Sequence, residues 1–175
     1  MKVDEALQDV SNLAFDTAPI IYFVEANPTY DELISDIFNR VAAGVMNGWT
    51  SVISLTEVLV QPIISGRNDL QQAYRELLLN SANFHTVPVN TNVAEHAARI
   101  RATYGLRLPD AIQIAFALDA GCQAIVCNDH SLRRVTELSV LILDDLERRS
   151  VIFSPPEIQR EAKIGSSTKG LSQNG

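Results

Sequence analysis

Four carboxylates stand just behind, or in the first turn after, apolar segments of the chain: Asp16 in AFDT, Glu57 in SLTE, Asp110 in LPDA and Asp129 in CND. Each has an ordinary structural reading when taken alone. The run Ser54-Leu55-Thr56-Glu57 fits a capping box in which Glu57 folds back on its own backbone, and Asp110 behind Pro109 suits the unpaired N–H groups of a helix start. Asp16 and Asp129 suit turns that bond their own loops. Brought to one place, the same four groups would repel, and some would hold protons unless a cation neutralised them. An all-oxygen donor set suits a hard divalent ion, magnesium or manganese, that keeps several of its waters. His85, His96 and His130 are scattered along the chain, which disfavours zinc, and His130 beside Asp129 reads as a loop histidine rather than a base.

Whether the acids meet depends on the elements that carry them. Apolar periodicity and turn residues predict a strand over Asn12–Phe15, a helix over 19–25 and a longer helix over 30–46 closed by Asn47-Gly48. A strand over 49–53 follows, then a helix opened by Ser54 that stops near Pro62 or Gly66. Asn68 caps an amphipathic helix over 70–79, and Pro88 marks the strand over 84–89 as an edge. A helix from Asn90 or Thr91 to Tyr104 ends at Gly105, and one over 109–120, apolar almost all round, ends at Gly121. The strand Ala124–Cys127, a short helix over 131–138 and a last strand over 140–143 complete the pattern. Strands alternating with helices mean crossover connections, hence a three-layer α/β/α fold on a mostly parallel central sheet. In such folds the loops and helix N-termini converge beyond the carboxyl ends of the strands, so all four acids are expected at one edge.

The length of 175 residues suits one domain with a real core, assigned here to residues 1–150. The balance of 14 Lys and Arg against 21 Asp and Glu argues against a surface that grips nucleic acid by charge alone, though a local basic patch is compatible with it. Cys122 and Cys127 are too few for a disulfide framework and lack the clustering of a zinc site. The opening MKVDEALQDV is unlike a secretory signal, and no segment has the length of a membrane span, so a soluble, cytoplasmic protein is expected. The polar tail over 151–175, with its Ser, Gly and Pro, reads as flexible. There is no internal repeat.

The segments FDTAPIIYFVE, SLTEVL, LRLPDAIQIAFAL and VCNDHSLRRV, in that order and at those intervals, resemble the four acidic motifs of the PIN domain, over roughly residues 13–146. That family includes the VapC-type toxins of toxin-antitoxin pairs. The resemblance implies a magnesium- or manganese-dependent ribonuclease acting on RNA phosphodiester bonds. It carries the family's acids onto Asp16, Glu57, Asp110 and Asp129, with Thr17 and Asn128 as supporting polar groups. Ala18 stands where many members have Asn, and Cys127 where Ser or Thr is common, which bears on metal affinity more than on fold. On this reading Asp16 and Asp129 are the main metal ligands, Asp110 holds a second metal or a metal-bound water, and Glu57 orients or deprotonates the attacking water. Arg107, Arg133 and Arg134 are placed in sequence to meet a substrate phosphate, although each also reads as part of a solvated face. Tyr22 and Phe23 lie in an apolar run and are expected to pack rather than stack on bases. An antitoxin that covers the acids and a homodimer built on the helices over 68–104 are the partners implied.

Other readings stay open. A haloacid-dehalogenase-type phosphatase needs a second Asp two residues after the first, where this chain has Ala18, and a receiver domain needs an early acidic pair and a late Lys that are missing here. A PIN-fold binding or scaffold module with weak catalysis, and a housekeeping RNA-processing nuclease without an antitoxin, both keep the four acids and compete with the toxin.

Overall fold

A computed structural model describes residues 1–146; the expected tail over 151–175 lies outside the described residues. The elements run α1 (Val3–Ala6), β1 (Asn12–Phe15), α2 (Thr17–Val24), α3 (Asp31–Ala42), β2 (Asn47–Ser51), α4 (Val52–Ile64) and α5 (Asn68–Arg75). A π-helical turn (Glu76–Asn80) leads to β3 (Phe84–Val87), α6 (Thr91–Tyr104), α7 (Leu108–Asp119) and β4 (Ala124–Cys127). A 3-10 turn (His130–Arg134), β5 (Ser139–Ile142) and a second 3-10 turn (Leu143–Asp145) complete the described chain. The five strands form one sheet in the order β3-β2-β1-β4-β5, every pair parallel. The chain therefore winds outward from β1 in one direction, returns, and winds outward in the other. The expected parallel α/β/α architecture holds, and β3 is the edge strand that Pro88 suggested.

The three-layer arrangement follows from the strand sequences. Successive side chains of a strand point to opposite faces. In β1, Leu13 and Phe15 enter the core shared with α2 and α3, while Ala14 enters the core shared with α6 and α7. In β4, Ala124 and Val126 join the first core, Ile125 and Cys127 the second. Both faces of these central strands are apolar because both are covered. The second core contains Ala111, Ile114, Ala115, Phe116 and Ala117, which accounts for the nearly all-apolar sequence of α7. Tyr22 stacks on Tyr30 and Phe23 on Phe38, so both aromatics pack, as expected.

Several boundaries differ from the sequence expectation. Asn47-Gly48 does not close a helix; α3 ends earlier, at Ala42, with Gly44 at φ +71° turning the chain away, and Gly48 lies inside β2. A Cβ at Gly48 would approach the Phe84 ring to 2.5 Å, so the residue is required by packing rather than by a turn. Ser54 does not open α4. Ser51 caps it, accepting a hydrogen bond from the Ile53 N–H at 3.2 Å, and Ser54 lies one turn inside. Pro62 is within α4, and the stop comes at Gly66, φ +67°. Asn68 is the first residue of α5 rather than its cap, and the expected helix over 70–79 gives way to the π-helical turn. The short helix expected over 131–138 is a 3-10 turn only.

Candidate active site

The order of the sheet makes β1 and β4 the neighbours from which the chain winds in opposite directions, and the crevice beyond their carboxyl ends is where an open α/β sheet places a ligand site. Asp16 follows β1 directly and its N–H donates to the Val126 carbonyl of β4 at 3.0 Å, so the ladder runs into the candidate site. Asp129 leaves β4 two residues after its end, where its carboxylate accepts the Ser131 N–H at 2.8 Å. That bond holds the Asp129 carboxyl below the ordinary range. Asp110 stands in the first turn of α7, and Glu57, exposed, in the second turn of α4.

The half-buried Asp16 registers the company it keeps. Its pKa is pushed up to about 6, first by burial and then by the charges of Asp110, Glu57 and Asp129, against the pull of the Thr17 N–H. The contacts agree: the Arg107 guanidinium reaches both Asp110 and Asp129, and the hydroxyl of Thr17, next to Asp16, reaches Glu57, so acids from four separate segments share an edge. Neither dull reading of the helix acids survives. Glu57 does not close a capping box, since it accepts the hydroxyl proton of Thr17 instead. Asp110 does not bond the helix backbone; Arg107 holds it through Nε to Oδ2 at 2.9 Å and Nη2 to Oδ1 at 3.3 Å.

The same Arg107 guanidinium lies 3.7 Å from Asp129 and so bridges two of the four acids, while its side chain is 78% exposed. The other two arginines are engaged elsewhere. Arg133 pairs with Asp145, and Arg134 donates to the carbonyls of Ser131 and Tyr104 at 2.9 and 3.0 Å. Asn128 does not reach the acids: its amide donates to the Tyr30 hydroxyl at 2.9 Å and accepts from the Asp144 N–H at 3.2 Å, tying the loop after β4 to the turn after β5. His130 opens the 3-10 turn after β4 and faces Asp144 at 3.5 Å.

Beneath the acids lies a polar chain that sequence reasoning missed. Four polar residues are buried among the described ones, Thr50, Ser51, Ser54 and Gln113, and all sit at the end of β2, the start of α4 and the facing side of α7. The Thr50 hydroxyl donates to the Phe15 carbonyl at 3.0 Å and fixes the end of β1. Ser51 donates to Gln113 Oε1 at 3.1 Å, Gln113 Nε2 donates to Ser54 Oγ at 2.6 Å, and Ser54 Oγ lies 3.0 Å from Thr17 Oγ1. Among the described residues no buried side-chain nitrogen or oxygen lacks a partner. The signal was present in the sequence as a lone Gln113 in the apolar run AIQIAFAL.

Among the described residues, no three acid, imidazole or thiol groups are yet gathered at metal-ligating spacing. The donor set still fits a hard cation: it is all oxygen, mutually repulsive, and partly neutralised by an exposed arginine.

A family model of the PIN domain matches residues 13–138. The chain belongs to the PIN domain family. The PIN domain fold is equally visible in solved structures of low sequence identity. VapBC2 from Rickettsia felis, solved with a DNA fragment from its promoter, superposes with a TM-score of 0.60 at 14% identity, covering 74% of this chain and 96% of that one. DNA-bound VapBC from Salmonella typhimurium gives 0.54 at 14%, covering 75% and 98%, and a toxin-antitoxin complex from Klebsiella pneumoniae 0.53 at 19%, covering 75% and 97%. A comparison with curated proteins found no match.

Proposed function

We propose that this PIN domain is a divalent-metal-dependent endoribonuclease, the toxin of a toxin-antitoxin pair, with Asp16, Glu57, Asp110 and Asp129 as its catalytic acids. The observation that carries the reading is the meeting of acids from four segments at the crevice where the sheet changes winding direction: Arg107 spans Asp110 and Asp129, Thr17 beside Asp16 reaches Glu57, and the Asp16 N–H joins the end of β4. Acids so arranged repel both one another and a phosphate, so they have a use only with a cation between. A bound magnesium or manganese ion supplies the acidity that turns water into a nucleophile and the positive charge that holds the phosphoryl oxygens. Asp16 and Asp129 are assigned as its main ligands, with Asp110 on a second ion or a bound water. Glu57, steadied by the Thr17 hydroxyl, would orient the attacking water and take its proton as the bond from phosphorus to the departing sugar oxygen breaks, that oxygen taking a proton from solvent. Arg107 releases Asp110 and turns its guanidinium to the substrate phosphate, a motion its exposure permits.

The antitoxin reading is supported by the likeness to toxin-antitoxin complexes. Its chemistry would be a basic segment laid over the acids. The test is cleavage of structured and unstructured RNA by purified protein with manganese, with magnesium and with chelator, beside Asp16→Asn and Asp110→Asn. Metal-dependent cutting that falls at least about 100-fold in both variants supports the site. Metal-independent cutting, or cutting that survives both substitutions, overturns it. A wild type that neither binds metal nor cuts either RNA favours the binding or scaffold module.

A further inference from the structure

The buried chain from Ser51 to Glu57 has a direction, and the direction identifies a residue acting at a distance. The Ile53 N–H donates to Ser51 Oγ, which leaves the Ser51 hydroxyl proton for the carbonyl oxygen of Gln113. The Gln113 amide is thereby oriented with its N–H toward Ser54 Oγ. Ser54, accepting there, has its own proton for Thr17 Oγ1, and Thr17 then has one proton left, which it gives to Glu57. An ionised carboxylate only accepts, so Glu57 fits the end of this sequence and no other position in it. Ser51, Ser54 and Gln113 are at most 1% exposed, and no solvent competes for their bonds.

We propose that Gln113 is a positioning residue for Glu57, acting through Ser54 and Thr17, and that its amide sets which way the Thr17 hydroxyl points. The proposal rests on the nuclease reading given above. Gln113 lies on α7, the helix that also carries Asp110, while Ser54 and Glu57 lie on α4 and Thr17 on α2. One amide therefore fixes the mutual setting of three helices that bear site residues. Burying four polar groups is costly unless every bond is made, and here every bond made leads toward one acid or toward the end of β1.

The experiment is a double-mutant cycle on Ser54→Ala and Thr17→Val, with Gln113→Met as a near-isosteric third variant. It reads kcat and KM for manganese-dependent RNA cleavage, manganese affinity by titration calorimetry, and melting temperature. Expected are a drop in kcat of about tenfold for Ser54→Ala and for Gln113→Met with KM little changed, and no further drop when Ser54→Ala is added to Thr17→Val. Manganese affinity is little changed in Ser54→Ala and Gln113→Met, since neither side chain touches a proposed metal ligand. Additive losses in the cycle, or a kcat of wild-type size in folded Ser54→Ala, overturn the proposal while leaving the nuclease reading intact. A kcat of wild-type size in folded Gln113→Met, or in Gln113→Leu should the first not fold, likewise overturns the proposal. A wild-type protein that neither binds manganese nor cuts RNA overturns both.

Discussion

At the scale of single residues, Asp16 makes a claim about pH. Its native pKa of about 6 lies above the 3.8 of an unperturbed aspartate, so the folded protein binds this proton more tightly than the unfolded chain. The resulting stabilisation is full below about pH 4 and is lost as pH rises through about 6. Metal-free Asp16→Asn should therefore melt higher than wild type at pH 7.5, by on the order of 2 kcal/mol or roughly 5 °C, with the gap closing at pH 4. Melting followed by circular dichroism at the two pH values checks this, and an equal gap at both would count against it. Arg107 makes a second claim. It neutralises Asp110 and Asp129 where a divalent ion would, so Arg107→Ala should tighten manganese binding several-fold in calorimetry. Weaker binding in that variant would mean that the guanidinium organises the acids instead of competing for them.

At the scale of elements, β2 shows how close packing governs the layer that supports the site. Gly48 faces Phe84, itself wedged against Phe15 and Phe38, so a methyl group there has nowhere to go. Gly48→Ala should cost about 1–3 kcal/mol in urea unfolding. A neutral result would show that the ring yields. The same strand marks the limit of what the sequence displays. Periodicity revealed the central strands and the helices α6 and α7, because their burial repeats with the period of the element and their ends carry a capping Asn90 and a left-handed Gly105. Asn47-Gly48 was read as a turn because the pair favours one locally, whereas the Gly is demanded by a ring from a strand far along the chain. The four acids were legible because Asp16 and Asp129 follow apolar strands and Glu57 and Asp110 stand early in apolar helices. Ser54, Gln113 and the bridging reach of Arg107 were not, since hydrogen bonds across three elements leave no spacing in one dimension. The capping box failed for a related reason: the true cap, Ser51, has its hydroxyl shared with Gln113.

At the scale of the whole molecule, the acidic balance of the chain and the four carboxylates along one edge predict that divalent ions stabilise the native state as a unit. Manganese at about 100 times its dissociation constant should add roughly 2.7 kcal/mol to wild type at pH 7.5, and Asp110→Asn should respond less. A wild-type melting temperature indifferent to manganese and magnesium would undercut the metal reading. Among the described residues no helix is long and apolar enough to cross a membrane. The strand order has a further consequence, for the moment of synthesis. β1 is made first yet sits at the centre, and its partner β4 emerges only after α2 through α7 have been translated. A chain leaving the ribosome can hold Asp16, Glu57 and Asp110, but it has neither Asp129 nor the strand that closes the crevice beside Asp16. Most of the domain must therefore be synthesised before the four acids can assemble, so the site is completed only near the end of translation of the domain.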